Sequence, residues 1–80
     1  MRVIWSPLAL DRVSEAGQYI ACDNRLAAEQ WVSGVFDAGE RLSHFPKRGR
    51  LVPEAGREEI REIYFGNYRI VYRVEANRIA

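Results

Sequence analysis

The chain has 80 residues, of which 48% are hydrophobic and 29% charged, and its net charge at pH 7 is +1. This balance is typical of one small globular domain, and it excludes a disordered chain and a second domain. The single cysteine, Cys22, excludes an internal disulfide, and with the single histidine, His44, it falls short of a structural zinc set. No apolar run approaches the roughly 20 residues of a membrane helix, so we expect a cytoplasmic protein without metal or cofactor.

The charge is divided unevenly along the chain. Residues 1–40 carry three arginines against six acidic residues, whereas residues 41–80 carry nine lysines and arginines against five glutamates. An anionic partner is therefore sought in the second half. The alternative is that the uneven charge only keeps a small protein soluble.

The first half predicts a short strand followed by two helices. Val3, Ile4 and Trp5 form a β-prone run, after which Ser6 and Pro7 are typical of a helix start. The spacing of three and four positions along the sequence predicts that the buried stripe of this first helix consists of Leu10, Val13, Gly17 and Ile20.

A second helix is predicted to begin at Asn24, a good capping residue. Its buried stripe is predicted to consist of Ala28, Trp31, Val35, Ala38 and Leu42, widened by Val32 and Phe36. Because the link between the helices is short, the two must lie antiparallel as a hairpin. Phe45-Pro46 then ends the helical region.

The second half predicts a loop over residues 47–56 and then two strands over residues 59–65 and 68–74. Gly66-Asn67 between them is typical of a tight hairpin. In the second strand, apolar Tyr68, Ile70 and Tyr72 alternate with a face that bears two arginines. Residues 78–80 open a further strand. The predicted order is β-α-α-β-β with a strand stub, an α+β domain over residues 1–80 in which a helical hairpin packs on a small antiparallel sheet.

Several short segments, spaced over the whole length, resemble the ParE-like or plasmid-stabilisation branch of the RelE/ParE toxin superfamily of type II toxin–antitoxin systems. The segments are residues 3–7 with Ala9, residues 19–21, residues 27–29, Phe45-Pro46, Gly49-Arg50, residues 52–54, residues 61–63 and residues 68–74. The resemblance implies the same hairpin-on-sheet fold and a cognate antitoxin that neutralises the protein. It also implies a target, which is DNA gyrase for ParE-like members and messenger RNA on the ribosome for RelE-like endoribonucleases.

The residues favour gyrase over RNA cleavage. Arg69 matches the arginine that RelE-like enzymes place after the hairpin turn, and it is the candidate catalytic residue if the protein cuts RNA. At the two positions of the preceding strand where those enzymes have lysines, this chain has Ile60 and Glu62, and a glutamate repels phosphate. His44 has no carboxylate placed to orient it. We therefore expect a toxin that acts by binding rather than by catalysis.

The candidate contacts with the target are basic. They are Lys47, Arg48, Arg50, Arg61, Arg69 and Arg73. Whether Arg61 shares a face with the last two depends on the turn, because a two-residue loop pairs it with Tyr72 and a three-residue loop pairs it with Arg73. The alternative for Arg61 is a structural ion pair with Glu59 or Glu62, and for the loop residues a solvated surface.

The antitoxin is expected on the helical hairpin and along the sheet edge. The candidate contacts are Arg12, Glu15, Tyr19, Trp31, Phe36, Tyr68 and Tyr72, with a core position as the alternative for Trp31. Relatives continue past the position of Ile79 through a full strand, so the edge of residues 68–74 is expected to be unpaired and open to an antitoxin or to a second copy in a homodimer. A third hypothesis follows, in which the chain is a truncated, non-toxic module that only binds its antitoxin.

Overall fold

The computed structural model describes all 80 residues. In chain order the elements are β1 (Arg2–Val3), α1 (Pro7–Ala21), α2 (Arg25–Arg41), β2 (Arg50–Leu51), a 3-10 helix (Pro53–Ala55), β3 (Ile60–Phe65), β4 (Tyr68–Arg73) and β5 (Arg78–Ile79). The predicted α+β class, a helical hairpin with a small antiparallel sheet, is confirmed. Neither helix is long and apolar enough to cross a membrane.

Both helices begin at the capping residues that the sequence predicts. The hydroxyl of Ser6 accepts a hydrogen bond of 3.0 Å from the amide of Ala9, and the side chain of Asn24 accepts one of 3.0 Å from the amide of Ala27. Each cap satisfies one of the amides that the first turn of a helix leaves without a partner. The link between them is only residues 22–24, so the helices fold back on each other.

One predicted member of the buried stripe of α1 is wrong, because Leu10 is 44% exposed. The inward face of α1 is formed by Ala9, Val13, Ala16, Gly17 and Ile20. On a helical projection these residues centre near Val13, which leaves Leu10 at the rim. The hairpin closes tightly at Gly17, where a Cβ atom would lie 2.9 Å from Cγ2 of Val32.

The strands form two sheets, one of three strands in the order β2-β3-β4 and one of the two strands β1 and β5. The first three are antiparallel neighbours, and β1 runs parallel to β5. Between β4 and β5 the contact is short: Arg73 and Ala80 exchange two backbone hydrogen bonds of 2.8 and 3.0 Å, and Val74 bridges Ile79. The last strand therefore covers only one end of β4.

The prediction of a continuous loop over residues 47–56 is wrong, because β2 and the 3-10 helix lie within it. Arg50 pairs with Glu62, and Leu51 pairs with Arg61. Arg50 and Leu51 have no alternating pattern, yet they form a strand because they can hydrogen-bond to the edge of β3. This is a tertiary effect and not a local propensity.

The core is small and lies where the end of α2 meets the sheet. Leu42, Tyr72 and Ile79 form its buried cluster, against which Val3, Ile63 and Val74 pack. The hydroxyl of Tyr72 donates to the carbonyl of Pro46 at 2.7 Å and accepts from the amide of Gly49 at 2.9 Å. These bonds hold the loop after α2 against the centre of the sheet.

Small residues on α2 let aromatic side chains of the sheet layer approach the helix. A Cβ atom on Gly34 would lie 2.3 Å from Cζ of Phe65, and one on Gly39 would lie 2.5 Å from Cζ2 of Trp5. The same side of the sheet brings Tyr68 to 4.7 Å from Trp31, measured between ring centroids. The helix-facing side of β4 is therefore the side of Tyr68, Ile70 and Tyr72.

Candidate functional site

The hairpin turn decides the position of Arg61. Phe65 pairs with Tyr68, so the loop has only the two residues Gly66 and Asn67, and Gly66 takes a positive φ of 59°. Arg61 therefore lies opposite Tyr72, on the helix side of the sheet. A three-arginine patch of Arg61 with Arg69 and Arg73 does not form.

Arg61 is also not in an ion pair with Glu59 or Glu62. Its guanidinium donates to the carbonyl of Gly49 at 2.8 Å and to that of Lys47 at 3.4 Å. The side chain thus ties β3 to the loop that follows α2. This position gives Arg61 a structural role in holding that loop.

The outer face of the sheet, which points away from the helices, carries a charged network at its centre. Glu62 is 1% exposed and accepts hydrogen bonds from Nε of Arg50 at 2.6 Å and from Nε of Arg69 at 2.5 Å. A second carboxylate, Glu54 in the 3-10 helix, pairs with the other end of the Arg69 guanidinium. We call these four residues the outer-face network.

The network fixes the charge of each of its members. Two hydrogen bonds, the stronger influence from Arg50 and the weaker from Arg69, hold the pKa of Glu62 below its ordinary value in spite of burial. The hydrogen bond that Arg69 donates to Glu54 lowers the pKa of Glu54. The same bond, and to a lesser extent the bond to Glu62, raises the pKa of Arg69. All four groups are charged at neutral pH, and Nε and Nη2 of Arg69 each donate to a carboxylate.

The other candidate target contacts lie at the border of this face. Arg73 shares the outer face with Arg69 and is exposed, and Lys47 and Arg48 are exposed in the loop after α2. Arg50 follows Lys47 and Arg48 in the chain, and its guanidinium carbon lies 5.9 Å from the ring centroid of Tyr64.

The structure adds one residue that sequence analysis missed. A cleft of about 400 Å³ between the end of α2 and the β2–β3 pair is lined by Arg41, Arg48 and Arg50, with Glu62 on its floor. Arg41 is in the last turn of α2. A cation at a helix C-terminus is a common stabilising feature, so the sequence signal was present but not specific for binding.

The candidate antitoxin contacts fall into three places. Arg12, Glu15 and Tyr19 are exposed along α1, and the side chain of Tyr19 is 77% exposed. Phe36 packs edge-on against Trp5, with ring centroids 4.8 Å apart. Tyr72 belongs to the core, so it can take part in a partner site only as the floor of a groove.

Trp31 lies between surface and core. It is half-buried against Tyr68, which is itself 40% exposed. The indole Nε1 of Trp31 is buried and has no hydrogen-bond acceptor. Such unpaired donors are uncommon in folded proteins because each costs free energy, and they indicate a place where packing is incomplete.

The histidine and the cysteine, two residue types common in catalysis, have no neighbouring group placed to activate them. His44 is exposed just after α2, away from the outer-face network. Cys22 is exposed between the helices, and its thiol donates only to the carbonyl of Gln18 at 3.4 Å. The arrangement as a whole presents arginines at a shallow cleft, which suits recognition of an acidic surface.

Comparison with known proteins agrees with this architecture. The profile of the family described as the ParE toxin of the type II toxin–antitoxin system parDE matches residues 3–80. A search of curated proteins gives no match. The family match covers β1 through β5, which includes the outer-face network and the helical hairpin. The chain therefore belongs to the ParE toxin family, and it is the toxin member of a type II toxin–antitoxin pair, with a cognate antitoxin as its partner.

Proposed function

We propose that this toxin acts in the cytoplasm by binding and inhibiting DNA gyrase, and that it does not cut RNA. The observation that supports this most directly is the state of Arg69. Its guanidinium is held by Glu54 on one side and by Glu62 on the other. An arginine that stabilises the charge of a cleaved phosphate must have its donors free for that phosphate.

The surroundings of Arg69 support the same conclusion. RNA cleavage through a 2′-hydroxyl needs a base to take the proton, an acid for the leaving oxygen and cations for the phosphorane. On the neighbouring strand the outer face offers Ile60, Glu62 and Tyr64. Glu62 is charged but enclosed by two arginines, so it can neither reach a substrate hydroxyl nor attract a phosphate.

For recognition of a large enzyme the cleft arginines are better suited. Arg41 and Arg48 make no ion pair in the structure, and both line the cleft with Arg50. Arginine is enriched at the centres of protein interfaces because its planar fork binds carboxylates at two points. We assign the primary contact with gyrase to Arg41, Arg48 and Arg50, with Lys47 and Arg73 at the rim.

The test is a pair of assays on the purified toxin. Supercoiling of relaxed plasmid by gyrase is expected to be inhibited, while a cell-free translation reaction continues and its messenger RNA stays intact. Inhibition of translation with cleaved messenger RNA and normal supercoiling would reverse the assignment in favour of a RelE-like endoribonuclease, in which Arg69→Ala would abolish cleavage.

A substitution in the cleft tests whether this surface of the toxin contacts gyrase. Arg48→Ala is expected to raise the toxin concentration needed for half-inhibition of gyrase roughly tenfold, as for an interface hot spot. Its matched control is Arg25→Ala on the far end of α2, where the arginine makes only an exposed pair with Glu29. Equal inhibition by both variants would remove the cleft from the proposal.

A further alternative is a module that only binds its antitoxin. It predicts normal supercoiling and normal translation together with tight antitoxin binding. The two assays above therefore separate all three functions.

A further inference from the structure

Arg50 is held in one orientation from two sides, although its side chain is 68% exposed. Its Nε donates to Oε2 of Glu62 at 2.6 Å, and its guanidinium carbon lies 5.9 Å from the ring centroid of Tyr64. No hydrogen bond uses its two terminal amino groups. An exposed arginine normally gives up rotamer entropy when it binds a partner, and Arg50 has already given up part of it. Its free end is therefore prepared for a ligand.

Arg50 shares the cleft between the end of α2 and the β2–β3 pair with two unpaired arginines. Arg41 and Arg48 also line this cleft, and neither side chain makes a hydrogen bond or an ion pair. Glu62 is the only acidic residue of the lining, so the formal charge of the cleft is +2. Both carboxylate oxygens of Glu62 already accept hydrogen bonds from arginines. The cleft therefore has guanidinium donors left for an anion.

Beyond the cleft, the charges of the outer-face network alternate in sign. From Arg50 the contacts pass to Glu62, then to Arg69 and finally to Glu54. A DNA strand carries one negative charge about every 3.4 Å along its axis, and it binds where cations follow one another along its path. A run of phosphates laid from the cleft across this face would meet a carboxylate after each arginine. A single carboxylate that stops at Arg50 meets none.

Glu62 is placed to keep the guanidinium of Arg50 from turning. Two parallel hydrogen bonds from the terminal amino groups of an arginine fit the two oxygens of a carboxylate, and this fit depends on the orientation of the guanidinium plane. Glu62 fixes that plane at Nε, and Arg69 holds the other oxygen of Glu62. Because Glu62 is 1% exposed, a ligand in the cleft cannot displace it.

We propose that Glu62 determines the specificity of the cleft, which takes a carboxylate from an acidic segment of gyrase and rejects the DNA that gyrase carries. Glu62 acts in two ways: it orients Arg50, and its negative charge on the floor weakens the attraction of the cleft for phosphate. It is a positioning residue, since it acts through Arg50 without touching the partner. The inference rests on the proposed function, to which it adds the chemical class of the contact and the residue that selects it.

The probes are a short peptide with blocked ends that carries two glutamates and a short single-stranded DNA of the same charge. In titrations followed by the NMR signals of the arginine Nε groups, the peptide is expected to bind roughly tenfold more tightly than the DNA. The largest shift on peptide binding is expected at Arg50. Equal or tighter binding of the DNA, or an unmoved Arg50 signal, would overturn the proposal.

Glu62→Gln tests the selecting residue. An amide has one acceptor oxygen for two arginines and no charge, so the ratio of peptide affinity to DNA affinity should fall roughly tenfold. Glu58→Gln removes the same charge from an exposed residue and should leave this ratio unchanged. Partial unfolding lowers both affinities in proportion, so the ratio separates selection from stability. The same ratio in Glu62→Gln as in the wild type would contradict the role of Glu62.

Arg50→Lys tests the orientation of the donor with Glu62 intact. Lysine keeps the charge but has no planar pair of donors, so peptide binding should weaken about tenfold while DNA binding changes less than about twofold. Arg25→Lys, at the far end of α2, should change neither affinity. An equal loss for the two probes in Arg50→Lys would show that they are not distinguished by orientation, and the proposal would fail.

Gyrase assays separate this inference from the proposed function. The toxin concentration for half-inhibition of supercoiling should rise in Glu62→Gln and in Arg50→Lys by about the factor found for the peptide. Selective binding of the peptide by a toxin that does not inhibit gyrase would refute only the proposed function. Inhibition of gyrase by a toxin that binds peptide and DNA equally would refute only this inference.

Discussion

The outer face of β4 and its helix side differ in how completely their polar groups are paired. On the outer face, Arg69 and Glu62 close the surface with paired charges, and both carboxylate oxygens of Glu62 accept a hydrogen bond from an arginine. On the helix side, an apolar groove lies between β4 and the helices, and the Nε1 of Trp31 is buried without a hydrogen-bond acceptor. The comparison teaches that exposure alone does not indicate a binding site, since the satisfied charged face is structurally complete and the apolar side is not.

The largest loss of stability is expected where the outer face is broken at its centre. Glu62→Gln removes the charge that two arginines share at a nearly inaccessible position, so the midpoint of thermal unfolding should fall. Glu58→Gln is the matched control, because Glu58 is exposed and makes no ion pair. Equal midpoints for the two variants would show that the network contributes nothing to stability.

Tyr72→Phe is expected to have the next largest effect, in the buried core. It removes the hydroxyl that bridges Pro46 and Gly49 and leaves the buried amide of Gly49 without an acceptor. The expected cost is about 2 kcal/mol of unfolding free energy, measured by urea denaturation. Tyr64→Phe, on a residue that is 56% exposed, should change this value little, and a similar loss in both variants would contradict the assignment.

A smaller effect is expected where α2 contacts Trp5. Gly39→Ala places a methyl group against the ring of Trp5, which must move. Overpacking costs about 1–3 kcal/mol, and the better helix propensity of alanine returns about 1 kcal/mol, so a net loss of about 1 kcal/mol is expected. Tryptophan fluorescence should shift with it, whereas Ser33→Ala on the exposed side of α2 should show neither change.

The dependence of stability on pH should separate the outer-face network from the core at Tyr72, and its effect is expected to be the smallest. Glu54 and Glu62 have pKa values below the ordinary 4.5, so their contribution is complete above pH 4.5 and is lost as the pH falls through the lowered values. Burial raises the pKa of Tyr72 above 10.0, so its contribution is complete below pH 10.0 and is lost as the pH rises through the raised value. Glu62→Gln should flatten only the acidic limb of unfolding free energy against pH, and Tyr72→Phe only the alkaline limb.

Local features of the fold were readable from the sequence. The caps at Ser6 and Asn24, the presence of a hairpin turn at Gly66-Asn67 and the alternation of β4 all depend on neighbours within a few positions, whereas the sequence left the length of that turn open. The resemblance to the toxin family was readable for a similar reason, since its short segments keep their order and spacing along the chain, and the family match over residues 3–80 confirms it.

The functional surfaces were decided by contacts between distant parts of the chain. From the sequence, Glu62 was expected to repel phosphate or to pair with Arg61, but in the fold β2 brings Arg50 to Glu62 and the 3-10 helix brings Glu54 to Arg69. Arg61 was predicted to contact the target or to pair with Glu59 or Glu62, but the register turns it toward the carbonyl groups of the loop after α2. A sequence fixes which side chains alternate, but which of them are paired depends on strand neighbours that only the folded sheet brings together.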